Sequence, residues 1–256
     1  MTGDMPILKR DTTTTVSSKD QAKRASMDRA AKPKLAASIL LVRGKPGAEE
    51  ILVGLRSKKH DFMPDVYVFP GGRVDPGDSR VPAVDVLNPR TKAILEAAMP
   101  TSRARACVLA AIRETWEETG FIIGEPEGYS PYNGNHPSWI TFSKAGLAPD
   151  LSEIHVIGRA VTPPYRPKRF DTWFFMTRLN EAQAARDYRD SDELLDTRWV
   201  SLKEAKTLKM HAITKMVVDV LSRYLVAPVQ GNTVPYSRFE RGKFVLEPFP
   251  KTGQDS

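Results

Sequence analysis

Three acidic residues within residues 113–121 (RETWEETGF) have the spacing that chemistry at a metal ion requires. On a helix, Glu114, Glu117 and Glu118 stand at positions i, i+3 and i+4, so their carboxylates share one face. Like charges on one face repel each other unless a cation lies among them. Mg²⁺ prefers oxygen ligands and bridges to substrate phosphates. The pattern indicates a metal site for diphosphate chemistry, although a solvated acidic helix face would have the same spacing.

The flanking residues favour the metal site over a solvated helix face. Four apolar residues fall on the opposite side of the helical wheel: Val108, Leu109, Ile112 and Trp116. Gly120 stands where a helix C-cap is expected, so the helix should end just past the acidic cluster. Upstream, Gly71 and Gly72 predict a turn whose backbone can approach a ligand closely, because glycine has no Cβ.

Residues 72–78 (GRVDPGD) and 113–121 together resemble the Nudix box, GX5EX7REUXEEXGU, in which U is an aliphatic residue. Asp78 stands where the box has its first glutamate, and Phe121 stands at an aliphatic position. About 27 more residues separate Asp78 from Arg113 than in the box, so we place an insertion at about 79–105. Long loops add little closure entropy, so the two halves can still meet. The resemblance covers about residues 35–225.

The resemblance implies an α/β fold, namely a Nudix-type α/β/α sandwich with a mixed β-sheet and an insertion inside the box. The apolar pattern agrees, since it predicts strands at 36–42, 51–55, 66–69, 154–162, 171–179 and 195–200. It predicts helices at 89–98, where Asn88 and Pro89 form an N-cap and N1 pair, and at 102–119 and 202–225.

The resemblance also implies the site residues. The implied cofactor is Mg²⁺, with Mn²⁺ as the alternative. Its implied ligands are Glu114, Glu117, Glu118 and a backbone carbonyl of Gly71 or Gly72, of which Gly72 is preferred. Arg113 is expected to take part in catalysis by orienting the carboxylates, a duty that suits a planar, always-charged side chain. The general base stays open between Glu114 and Glu193, which lies in a polar loop before a predicted strand.

The substrate is indicated by a narrower similarity. The interrupted box and residues 68–75 (VFPGGRVD) are similar to coenzyme A diphosphatases of the peroxisomal type. Leu52, Arg56 and Ser57 match part of the LLTxRS signature of that branch, whereas Asp65 stands where the signature has glycine. Arg56 and Arg169 are the candidate substrate-binding residues, because guanidinium groups make charge-assisted hydrogen bonds to phosphates.

The implied reaction is hydrolysis of coenzyme A or acyl-coenzyme A to 3′,5′-ADP and (acyl-)4′-phosphopantetheine. A pyrophosphatase for ADP-ribose or NADH-type dinucleotides is the enzymatic alternative. A Nudix-fold module that binds a nucleotide without cleaving it is the alternative of another class. A third reading makes the insertion a partner-binding element.

Length and composition predict one domain at 35–226 between two extensions. The basic tail at 1–34 is polar and expected to be disordered, and residues 227–256 form an extension that adds an edge strand or contacts a partner. The net charge is +7, but the tail holds eight Lys/Arg and four Asp/Glu, and the remainder lacks basic clusters interleaved with aromatic residues. We therefore expect a small anionic substrate as partner, no nucleic acid and no membrane; a homodimer is left open. One cysteine and the acids in the tail favour a cytoplasmic location.

Overall fold

The computed structural model of the protein describes residues 31–58, 64–84, 86–126, 130–228 and 231–251. The tail that is expected to be disordered lies outside the described residues as far as residue 30. The strands are β1 (Lys34–Arg43), β2 (Glu50–Arg56), β3 (Tyr67–Val68), β4 (Gly71–Arg73), β5 (His155–Val161), β6 (Phe170–Arg178), β7 (Leu194–Ser201), β8 (Val234–Glu240) and β9 (Lys243–Phe249). The helices are α1 (Pro89–Glu96), α2 (Thr101–Thr119), α3 (Pro137–Ser143), α4 (Glu181–Ala184), α5 (Leu202–Thr207) and α6 (Ala212–Val226).

All nine strands belong to one sheet in the order β3-β2-β1-β6-β5-β8-β9, with β4 paired to β1 and β7 paired to β2. The pairs β1–β6 and β5–β8 are parallel. The other pairs are antiparallel. The predicted mixed sheet is confirmed.

The sheet buries both of its faces, because successive side chains of a strand point in opposite directions. Ile39 and Leu41 of β1 belong to the core cluster that contains the apolar face of α2. Leu40 and Val42 belong to a second cluster, which contains the apolar residues of α6. Helices therefore cover the sheet on its two sides, and the α/β/α sandwich is confirmed.

The two helices predicted around the insertion form where their caps indicate. The Asn88 side chain accepts hydrogen bonds from the backbone N–H groups of Arg90 and Thr91 at 3.1 and 3.2 Å, which begins α1. Helix α2 ends at Gly120, whose φ of 67° is left-handed and whose N–H donates to the Trp116 carbonyl at 2.9 Å. The box helix and its C-cap agree with the prediction.

The long helix predicted at 202–225 is wrong, because the chain forms α5 and α6 with a break between them. Leu208 leaves the helical region with a ψ of 154°. The carbonyl of Lys209 accepts a hydrogen bond from the Tyr67 N–H at 2.9 Å, next to the short strand β3. This long-range bond satisfies a backbone donor of β3, and the apolar periodicity of the segment does not reveal it.

The C-terminal segment extends the sheet. Strands β8 and β9 form an antiparallel hairpin, and β8 pairs with β5 through Arg159–Tyr236 and Ala160–Ser237. Of the two alternatives left open for this extension, the structure contains the edge strand. Among the described helices, none has the length and apolar content needed to cross a membrane.

Candidate active site

Strand β4 brings the glycine turn against the acidic face of α2. Its pairing with β1 sets Gly71 opposite Ser38 and Gly72 opposite Ala37. A Cβ on Gly72 would lie 2.4 Å from the carboxylate carbon of Glu114, so a side chain at this position would displace that carboxylate. The Gly71 N–H donates to Glu118 Oε2 at 2.8 Å. The two halves of the interrupted box therefore meet in space despite the insertion.

Arg113 ties the acidic residues together at the junction of the two halves. Its Nε and Nη2 donate to the two carboxylate oxygens of Asp78 at 2.9 and 3.2 Å. Its Nη1 donates to Glu114 Oε1 and Glu117 Oε2, both at 2.9 Å. Burial alone would lower the pKa of Arg113, but hydrogen bonding to Asp78 and the charges of its carboxylate partners raise it above its ordinary value. Arg113 is therefore a charged hub that fixes where these carboxylates point.

Asp78, at the box position usually held by glutamate, is wholly buried. Besides Arg113, it accepts from the indole Nε1 of Trp139 at 2.7 Å and from the N–H of Asp75 at 2.8 Å. Trp139 lies on the short helix α3, and its side chain is 1% exposed. The sequence analysis missed this residue and α3; the aromatic pair Trp139 and Phe142, three positions apart, was the only local signal.

Burial and like charge shift the pKa values of two box carboxyls. Burial, with a contribution from the charge of Glu117, raises the pKa of Glu114 to about 7. Burial and the charge of Glu114 raise the pKa of Glu118 well above its usual range. Both shifts include a smaller contribution from the charge of Glu193, so the structure brings that loop acid towards the box. The cluster holds more carboxylates than Arg113 alone can neutralise, and the charge of Arg56 offsets part of the excess at Glu118.

A cleft of about 860 Å³, here called the acidic cleft, opens over these groups. Seven of the eight predicted site residues line it: Arg56, Gly72, Glu114, Glu117, Glu118, Arg169 and Glu193. The eighth, Arg113, lies beneath and lines a neighbouring cavity with Glu114 and Glu117. The structure thus collects residues from five separate stretches of sequence at one place.

The three predicted residues outside the box differ in their surroundings. Arg169 donates from Nε to the Thr162 carbonyl at 3.1 Å and from Nη1 to the Ala31 carbonyl at 2.7 Å. It therefore anchors the chain that forms the cleft wall, and its role towards substrate stays a prediction. The backbone carbonyl of Glu193 accepts from the Ser57 N–H at 2.9 Å, which joins the loop of Glu193 to the end of β2 beside Arg56.

The donor set suits a hard divalent cation. The candidate ligands are carboxylates, and Gly72 has no Cβ that would separate its backbone from the Glu114 carboxylate. Burial raises the pKa values of Glu114 and Glu118, because the positive charge around these carboxylates is too small to offset it. As they stand, no three His, Cys, Asp or Glu side chains within the described residues are arranged to hold a metal ion. The reason is visible in the contacts: Arg113 shares one nitrogen between Glu114 and Glu117, while Glu118 turns towards Gly71.

Comparison with known proteins agrees with this geometry. Residues 107–220 match the NUDIX domain family. Over this range the chain is similar to a Nudix domain. The matched range begins inside α2, so the upstream half of the Nudix box lies outside it, as an insertion between the halves would cause.

Two curated relatives share the name acyl-coenzyme A diphosphatase NUDT19. The Gallus gallus protein is 27% identical over 233 residues, which covers 66% of this chain and 61% of the relative. The Xenopus laevis protein is 24% identical over 220 residues, covering 64% of this chain and 56% of the relative. The chain thus spans about three fifths of the length of the relatives it matches.

A solved structure shares the fold. The NUDIX hydrolase from Alicyclobacillus acidocaldarius superimposes with a TM-score of 0.59 at 24% identity, covering 79% of this chain and all of that one. At this identity the similarity supports the fold alone. It agrees with the Nudix sandwich inferred from the interrupted box.

Proposed function

We propose that this Nudix domain hydrolyses, with Mg²⁺ or Mn²⁺, a nucleoside diphosphate linked to another moiety. The preferred substrate is coenzyme A or acyl-coenzyme A, cleaved to 3′,5′-ADP and (acyl-)4′-phosphopantetheine. The observation that carries the proposal is the acidic cleft. Glu114, Glu117 and Glu118 line it together with basic residues such as Arg56 and Lys168. The names of the two curated relatives support the choice of substrate.

The carboxylates of Glu114, Glu117 and Glu118 and the carbonyl of Gly72 would hold the cation. When bound, a divalent cation offsets phosphate charge, orients the diphosphate and makes water more acidic. Arg113 positions the carboxylates through the contacts described above. A general base contributes about 10²–10⁴-fold in such reactions, and Glu114 and Glu193 are the two candidates.

The walls would bind the anionic substrate. Arg56 and Lys168 line the acidic cleft together with the backbone that Arg169 anchors. Asp65 stands where the coenzyme A signature has glycine, and its φ is 57°. Glycine adopts this left-handed conformation freely, and aspartate tolerates it. Aspartate at this position is therefore compatible with a backbone conformation that favours glycine.

The test is product analysis of the purified protein incubated with coenzyme A and Mg²⁺. We expect release of 3′,5′-ADP, and its loss in the double variant Glu117→Gln, Glu118→Gln. Glu153→Gln is the matched control, because the Glu153 side chain is 74% exposed and lies outside the acidic cleft. Undiminished turnover in the double variant would refute the assigned metal site. Hydrolysis of ADP-ribose or NADH but not of coenzyme A would refute the preferred substrate and favour the dinucleotide alternative.

A further inference from the structure

A second cavity, of about 810 Å³, adjoins the acidic cluster. Glu114 and Glu117 line both this cavity and the acidic cleft. The insertion contributes Ser79, Ser102 and Arg103 to the lining, so we call it the insertion cavity. A molecule joined through a diphosphate has one moiety on each side of that group. The two concave spaces therefore match the two halves of such a molecule.

The side chains of the insertion cavity suit an anion. Lys34, Arg73 and Arg103 line it, and within the described residues their side chains make no hydrogen bond or ion pair. The hydroxyl groups of Ser79 and Ser102 line the same space. Arginine and serine side chains are good donors to phosphate oxygens, and arginine can bind two of them at once.

Apart from the box carboxylates, Asp75 is the one acidic residue that lines the insertion cavity within the described residues. Glu114 and Glu117 are the shared box carboxylates, and Arg113 already donates to both. Asp75 accepts a hydrogen bond from the Gly77 N–H at 2.7 Å within its own turn. Away from the box carboxylates, the cavity is therefore predominantly basic.

We propose that the insertion cavity binds the nucleotide half of the substrate and recognises an additional phosphate on it, with Arg103 as the specificity-determining residue. Arg103 is singled out because Lys34 and Arg73 also line the acidic cleft, whereas Arg103 lines the insertion cavity alone. It lies in the first turn of α2, the part of the helix inside the insertion. The insertion thus selects the substrate as well as separating the halves of the box. This inference rests on the proposed function for its reaction.

Coenzyme A and dephospho-coenzyme A test the proposal, because they differ only by one phosphate on the ribose. Arg103→Gln should raise the KM for coenzyme A about tenfold, the loss expected for one charge-assisted hydrogen bond. It should leave kcat and the KM for dephospho-coenzyme A unchanged, and Arg103→Lys should restore part of the preference. The matched control is Lys92→Gln, which removes an exposed insertion cation whose Nζ pairs with Glu96 at 2.6 Å.

A binding measurement separates this inference from the proposed function. Titration calorimetry without metal should show tighter binding of 3′,5′-ADP than of 5′-AMP by the unmodified protein, and loss of that difference in Arg103→Gln. This result would uphold the site even if coenzyme A were not hydrolysed. Equal binding of the two nucleotides, or a preference that survives Arg103→Gln, would overturn it even if coenzyme A were a good substrate.

Discussion

Replacing Trp139 with phenylalanine removes one hydrogen-bond donor from Asp78 and leaves an aromatic ring in place. The indole Nε1 lies 2.7 Å from Asp78 Oδ1, and both side chains are almost entirely inaccessible to water. A phenylalanine ring can keep the edge contact with Phe142, whose centroid lies 5.3 Å from that of the indole. The change therefore isolates the hydrogen bond that links α3 to the buried ion pair of Asp78 and Arg113.

The expected loss is about 1.5–3 kcal/mol of unfolding free energy, the range for hydrogen bonds to charged groups. The smaller ring also leaves a void, which needs a matched control. Trp173→Phe supplies one, because Trp173 is 0% exposed and its buried Nε1 has no hydrogen-bond partner among the described residues. Urea unfolding of the two variants and the unmodified protein measures both losses. A larger loss in Trp139→Phe than in Trp173→Phe reports the hydrogen bond, because the Trp173 variant keeps an aromatic ring beside the Arg159 guanidinium.

Equal destabilisation by Trp139→Phe and Trp173→Phe would refute this reasoning, because the indole of Trp139 would then contribute packing only. Arg113 and Asp75 still donate to Asp78 in the variant, so we expect the fold to persist. Because Arg113 also holds Glu114, any shift of Asp78 would pass to the box carboxylates.

Three further predictions follow from single contacts. Gly72→Ala places a Cβ 2.4 Å from the Glu114 carboxylate carbon, so turnover should fall at least about 10²-fold. The circular dichroism spectrum should stay unchanged. The control is Gly231→Ala, because a Cβ on Gly231 would meet no atom within 4 Å. Burial raises the pKa of the Cys107 thiol, so a thiol reagent at pH 8 should modify it only after denaturant is added, and rapid labelling of the native protein would contradict its burial. Arg90→Met removes hydrogen bonds to three backbone carbonyls and should lower the free energy of unfolding by about 1.5–3 kcal/mol. An unchanged urea unfolding curve would show that these hydrogen bonds do not stabilise the protein.

Elements with local causes could be predicted from the sequence. The N-cap at Asn88 and the C-cap at Gly120 predicted where α1 begins and where α2 ends to within a few residues. Capping can be predicted because it depends on neighbours in the chain. The break after α5 could not be predicted, since the apolar spacing continues through it and its cause is the bond from Tyr67 to Lys209. Tertiary contacts override periodicity where a distant strand needs a partner.

For the candidate site, too, some features could be predicted from the sequence and others could not. The spacing of Glu114, Glu117 and Glu118 follows from helical geometry, so the sequence was sufficient to place them on one face. Trp139 reaches Asp78 across 61 residues of sequence, and no local pattern encodes that contact. The insertion cavity was likewise invisible, because it forms only when the insertion folds back beside Lys34 and α2.

The charges of the site support the proposal that a diphosphate binds there together with a cation. Asp78 is matched by Arg113, which leaves Glu114, Glu117 and Glu118 to share the remaining positive charge. The raised pKa values of Glu114 and Glu118 indicate that protons relieve this imbalance in the arrangement described. An anionic substrate would worsen it, whereas a divalent cation would replace the protons and neutralise substrate and carboxylates together. Among the basic residues of the walls, Arg56 offsets part of the charge at Glu118, but burial and the charge of Glu114 still raise the pKa of Glu118. The balance of charge therefore supports the divalent cation of the proposed function.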